Sequence, residues 1–194
     1  MKKNMNYIKM TASILAIMIG IITLDSEALA AIYYPNGIAV EEEEDPYLHS
    51  VADMEFANLP LNVTTRFTAA GWDYVIVKKG SINKAYNATS GWAIDGFNDR
   101  VSKIYINGEL RSMTVLYHEM GHFIDINRTE GPASATPEFD RIFSKEGTSL
   151  GEYGAKNRTE FFAEVVMHLY TDPTATRGKC PMAYEYVINV IKSF

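Results

Sequence analysis

The residues best suited by type and spacing to do chemistry are His118-Glu119-Met120-Gly121-His122. On a helix, positions i and i+4 share one face, one turn apart, so the two imidazoles can converge on a single ion. Zn²⁺ accepts imidazole nitrogen at roughly 2.0–2.1 Å. Glu119, beside the first histidine, can reach a water on the metal rather than the metal, as the general base of a metallopeptidase must. The motif thus implies a zinc peptidase. The rest of the chain has to supply a third ligand, a substrate groove and a compartment.

Two histidines are an incomplete set. A structural zinc site is closed by four protein ligands, whereas a catalytic one uses three plus water. His49 and His168 are the only other histidines and Cys180 the only thiol, which excludes a cysteine-rich site and leaves a carboxylate as the natural third ligand. Glu160 and Glu164 lie one turn apart on one helical face. Glu160 also stands three residues after Asn157, the spacing of a capping box, and on spacing alone ligand and cap weigh equally. Glu164 could accept a hydrogen bond from a ligand histidine and fix its ring. His168, one turn further, could join that contact or be a partly buried histidine with a backbone partner. Cys180, just before a proline-started helix, reads as a packed thiol.

The elements that must position these groups follow from periodicity and punctuation. Apolar residues at Met113, Leu116, Tyr117, Met120, Phe123 and Ile124 recur at helical spacing, so the motif helix is expected from about Ser112 to Asn127. Gly121, a poor helix former, implies close packing beside the site. Earlier helices are expected from Pro46 towards Asn58 and from Pro60 to Gly71, with a strand at Tyr74–Val77. Residues 80–100 read as loop, with Trp92 either capping the core or flanking the substrate cleft. Val101–Ile106 reads as a strand with one wet face, at an edge that an extended peptide could join, which nominates Ile104 and Ile106 as substrate-side residues. Later helices are expected at Pro137–Lys145, Asn157–Tyr170 and Pro181–Ile191.

The chain has 194 residues. Lys2, Lys3 and Lys9, an apolar run from Ile14 to Leu24, and Ala28-Leu29-Ala30 together read as a secretory signal peptide over residues 1–30. The run is shorter than the roughly 20 residues a bilayer span needs. Residues 31–194 are enough for one domain with its own core. The net charge of the whole is −6, and removing the leader makes it one unit more negative. No basic cluster suggests nucleic acid. Secretion permits disulfides, but with a single cysteine stability has to come from the core and the metal.

Tyr153-Gly154, Asn157 and Glu160-Phe161-Phe162-Ala163-Glu164 resemble the catalytic domain of anthrax lethal factor and its relatives. The run from Phe143 to Gly151 and Lys179-Cys180-Pro181 resemble the secreted bacterial Pro-Pro endopeptidases more closely still. The resemblance implies an α+β, zincin-like domain with a small mixed sheet, an active-site helix and a helical C-terminal part. It implies one Zn²⁺ per chain on His118, His122 and Glu160, Glu119 as base, Tyr153 as oxyanion donor, and Glu164 as the family's second acid. The large N-terminal delivery domains of lethal factor have no counterpart here. The implied protein is a secreted, monomeric endopeptidase acting on a protein or peptide, such as a proline-rich surface protein, with no nucleic-acid partner and no stable membrane association. Two other readings stand beside it: a lethal-factor-like toxin protease with a host-protein target, and a non-catalytic secreted binding module.

Overall fold

The computed structural model describes residues 45–78, 96–100, 102–108, 110 and 113–194, with two short strands at 32–33 and 39–40. The leader expected over residues 1–30 and Trp92 lie outside the described residues. Strands β1 (Ile32–Tyr33) and β2 (Ala39–Val40) pair antiparallel. Helices α1 (Pro46–Ala57) and α2 (Leu61–Ala69) come next. Asp45 starts α1, its Oδ1 accepting from the backbone N–H groups of Tyr47 at 2.8 Å and Leu48 at 3.3 Å, with proline at the first position, where a missing N–H costs nothing. Just past α2, Gly71 adopts a left-handed φ of 74°, which glycine takes without penalty.

The sheet holds β3 (Asp73–Val77), β4 (Gly96–Asn98) and β5 (Lys103–Asn107) in the order β3-β5-β4. β5 runs parallel to β3 and antiparallel to β4. This small mixed sheet fits the expected α+β class, but the expectation for β5 needs correction. Among the described strands it is central, and Ile104, Tyr105 and Ile106 are all buried. Neither face of β5 is wet. Ile104 and Ile106 pack in the hydrophobic core, so they cannot line a substrate groove, and their backbone groups are committed to neighbours on both sides. The edge passes to β4, inside the stretch read as loop. Three residues that include Gly96 and Asn98 carry almost no strand signal.

The helical part comprises α3 (Val115–Ile126), α4 (Pro137–Glu146), α5 (Arg158–Thr171), α6 (Pro173–Lys179) and α7 (Pro181–Ser193), with 3₁₀ turns at Ala133–Ala135 and Gly154–Lys156. Every residue of α3 from Leu116 to Asp125 is buried, so this helix threads the middle of the domain. α6 was not expected. Asp172 and Pro173 end α5, but Asp172 Oδ1 also accepts from Ala175 N at 3.0 Å and Pro173 opens a further helix. The start of α7 is held from afar: the Glu146 carboxylate accepts from Met182 N at 3.1 Å and Ala183 N at 2.9 Å, a favourable place for an anion. Cys180 is buried and its Sγ donates to Thr176 O, as a packed thiol would. Burial pushes its pKa up to about 11. No helix among the described residues is long and apolar enough to cross a membrane.

Candidate metal centre

Helices α3 and α5 supply the site, and a glycine sets their approach. A Cβ on Gly121 would lie 2.7 Å from the Ala163 Cα and 3.2 Å from its Cβ. Only with hydrogen at position 121 can the two backbones come this close. That approach carries Glu160 and Glu164 of α5 onto the histidine face of α3, beside His118, Glu119 and His122, all three buried.

Glu160 Oε2 lies 3.2 Å from His118 Nε2 and 3.5 Å from His122 Nε2. These three ligand atoms sit within 4.8 Å of one another. Two donor atoms, each roughly 2.0–2.1 Å from a tetrahedral ion, stand about 3.3 Å apart, close to what Glu160 makes with each imidazole. Two imidazole nitrogens and a carboxylate oxygen therefore fit a tetrahedral metal ion in both type and spacing. The capping alternative for Glu160 resolves into two separate contacts. Asn157 Oδ1 accepts from the Glu160 backbone N–H at 2.9 Å, while the Glu160 carboxylate faces the histidines.

Glu164 stands where a bracing group should. His118 Nδ1 contacts Glu164 Oε1 at 2.9 Å, so Nδ1 donates and Nε2 is turned towards Glu160, the arrangement that orients ligand histidines. His168 Nε2 approaches the other Glu164 oxygen at 3.6 Å, beyond hydrogen-bond length. His122 Nδ1 is buried without a hydrogen-bond partner among the described residues, so a carboxylate braces Nδ1 of His118 and none of the described carboxylates does so for His122.

The site's electrostatics come from crowding acids and imidazoles in a largely buried seam. Burial alone would push the His118 pKa down, but hydrogen bonds to Glu160 and Glu164 outweigh it and hold the imidazole at about 9. In the metal-free protein at neutral pH His118 therefore carries a proton that an incoming ion must displace. Burial opposes ionisation of Glu160 as well, yet its bonds to the two histidines hold it well below the usual carboxylate range. Glu119 is raised by burial, with His118 and His122 pulling the other way. A raised carboxylate is a better proton acceptor, which suits a general base. Tyr153 is pushed up to about 12 by burial and by the negative charges of Glu160, Glu119 and Glu164. It stays an O–H donor, with its ring 5.4 Å from the His118 ring and 49% of its surface exposed.

Two residues that local patterns did not single out complete the surroundings. Asn98 of β4 is buried; its Nδ2 donates to the Glu119 carbonyl at 3.1 Å and its Oδ1 accepts from Arg100 N at 2.7 Å. Asp125, three residues past His122, accepts from Ser134 N at 2.7 Å and Ser134 Oγ at 2.6 Å, pinning the segment after α3. A buried acid inside an apolar helix was the available signal for Asp125; Asn98 had none. β4 also passes directly over the base, since a Cβ on Gly96 would stand 3.0 Å from Glu119 Oε1.

The sequence profile of the family described as anthrax toxin lethal factor, N- and C-terminal domain, matches residues 96–190, a span from β4 into α7 that holds every residue of the centre. The chain resembles the lethal-factor family. Among solved structures, the Pro-Pro endopeptidase from Paenibacillus alvei matches this lethal-factor-like chain with a TM-score of 0.58 and 20% identity, over 76% of this chain and 95% of that one. At that identity the likeness shows the fold, and it supports the zincin-like α+β class. No curated protein matches the sequence.

Proposed function

We propose that this lethal-factor-like chain is a secreted, monomeric zinc endopeptidase, with bonds between prolines in extracellular proteins as its preferred cut. The observation that carries the reading is the convergence of His118 Nε2, His122 Nε2 and Glu160 Oε2 next to the buried carboxylate of Glu119. Secretion rests on the leader-like pattern of residues 1–30, and the proline preference on the likeness to a Pro-Pro endopeptidase.

Zinc, when bound by those three residues, supplies Lewis acidity and a water that ionises near neutral pH. Glu119 would take one proton from the attacking water as the water's oxygen adds to the scissile carbonyl carbon. The Tyr153 hydroxyl donates to the oxyanion that develops, where a preorganised donor has its largest effect. Glu119 then passes the proton to the departing amine nitrogen as the C–N bond breaks. Glu164 keeps the His118 ring in register throughout.

A zinc-loaded cleavage screen on a peptide library, with chelator and Glu119→Ala controls, tests this. The expected result is chelator-sensitive cutting at Pro-Pro bonds, with Glu119→Ala retaining zinc and losing about a hundredfold or more in turnover. Normal cleavage by that variant would refute the assigned base. Cutting only at other bonds would end the proline preference, and a chain that binds no stoichiometric zinc would be a binding module.

A further inference from the structure

We infer that Lys156 is a positioning residue that clamps the Tyr153 ring against the metal centre. The inference rests on the endopeptidase reading and adds to it a side chain outside the ligand, base and donor set. Lys156 Nζ lies 3.6 Å from the centroid of the Tyr153 ring. A second constraint is the His118 imidazole, whose ring centroid lies 5.4 Å from that of Tyr153 at an interplanar angle of 69°. Tyr153 thus contacts both an ammonium group and the His118 ring.

The local backbone explains the pairing. Residues 154–156 form a 3₁₀ turn in which Lys156 N donates to Tyr153 O at 3.2 Å. Side chains three apart eclipse in such a turn, so a cation at 156 stacks on the ring at 153. The turn itself is seated firmly. Gly151 before it has a φ of 108°. Gly154 faces α5 so closely that a Cβ there would stand 3.3 Å from the Phe161 ring and 3.5 Å from Glu164 Cγ.

A clamp is needed because Tyr153 is half exposed and stands outside the hydrophobic core formed by the described residues. Its hydroxyl is hydrogen-bonded to Glu160 and lies in the field of Glu119 and Glu164, whose combined charge attracts any nearby cation. Lys156 answers that charge from over the ring, 3.6 Å from its centroid, and as an ammonium it offers the hydroxyl no acceptor. The ring face carries the negative end of its quadrupole, which is what an ammonium group seeks.

The test uses the full chain in Lys156→Met, Lys156→Arg and Tyr153→Phe, singly and with Lys156→Met and Tyr153→Phe combined. Lys156→Met should lower kcat about fivefold, the size of a partly exposed cation–π contact, with KM and zinc affinity within about twofold. Lys156→Arg, which keeps a cation over the ring, should restore kcat. In the Tyr153→Phe background Lys156→Met should cost nothing further, since the donor it positions is gone. The readout without turnover is ¹⁹F NMR of zinc-free, fluorotyrosine-labelled protein, with the Tyr153 resonance identified by its loss in Tyr153→Phe; Lys156→Met should move it towards the free-tyrosine position. An unmoved resonance, unchanged kcat in Lys156→Met, or equal losses with and without the Tyr153 hydroxyl each overturn the clamp. A wild-type chain that cuts no peptide overturns the endopeptidase reading instead, and the resonance separates that failure from the failure of the clamp.

Discussion

The seam between α3 and α5 and the rim around it, made of the β4–β5 hairpin and the Tyr153 turn, are built on opposite terms. In the seam the backbones nearly touch at Gly121 and Ala163, and His118 is held at both ring nitrogens by carboxylates. At the rim Tyr153 is half exposed, and Arg100 is exposed with a left-handed φ of 59°. Ligand geometry tolerates little error and is set by close packing. Under the endopeptidase proposal the rim groups meet the substrate and have to remain accessible, which fits their lighter hold: one hydrogen bond from Arg100 N to Asn98 and a cation over the Tyr153 ring. Changes in the seam should therefore move stability and metal affinity together, and changes at the rim should move turnover or substrate binding with little effect on either.

Gly121→Ala is the sharpest way to break the seam, because two effects of opposite sign compete. In a helix interior alanine is favoured over glycine by about 1 kcal/mol. Here the new Cβ would meet the Ala163 Cα at 2.7 Å, and backbone cannot rotate away as a side chain can. Overpacking of this kind costs about 1–3 kcal/mol, enough to reverse the gain and push the helices apart. The variant should melt several degrees below wild type and lose most zinc affinity, since Glu160 and Glu164 move together. A melting temperature above wild type would show that the helices are not in close contact.

Removing the brace while leaving the Gly121–Ala163 contact intact should have a smaller effect. Glu164→Ala leaves His118 Nδ1 without its 2.9 Å partner. Loss of such an outer contact lowers metal affinity about 10–100-fold. Competition against a zinc chelator measures this directly. Affinity equal to wild type would mean that the His118 ring holds its orientation without a carboxylate at Nδ1.

The same division decides how much could be read from the sequence. The motif helix was legible because period and ligand spacing are local, and Asn157 and Pro181 marked helix starts by local chemistry. Glu160 was ambiguous for a physical reason: its N–H is capped by Asn157 while its carboxylate serves the site, and spacing alone cannot separate the two. The rim was largely illegible. The alternation through Val101–Ile106 suggested a wet face, but sheet order is set by long-range pairing, and β5 gained neighbours on both sides. β4 is too short and too polar to announce itself, although it is the strand that crosses Glu119.

Asn98 is where rim and seam are joined, and separating its two bonds is the subtlest test of the comparison. Asn98→Ala removes both the donor to the Glu119 carbonyl and the acceptor that holds Arg100 N, at about 1–2 kcal/mol for a buried group left unpaired. Zinc affinity should stay within about twofold, because no ligand of the seam is touched. Asn98→Asp keeps an acceptor for Arg100 but sets a carboxylate oxygen against the Glu119 carbonyl. If the tie to α3 is what holds the hairpin over the base, Asp should be as damaging as Ala, with KM raised and kcat little changed. If the turn at Arg100 is what matters, Asp should behave as wild type, and β4 would then be an edge that covers Glu119 without being anchored to it.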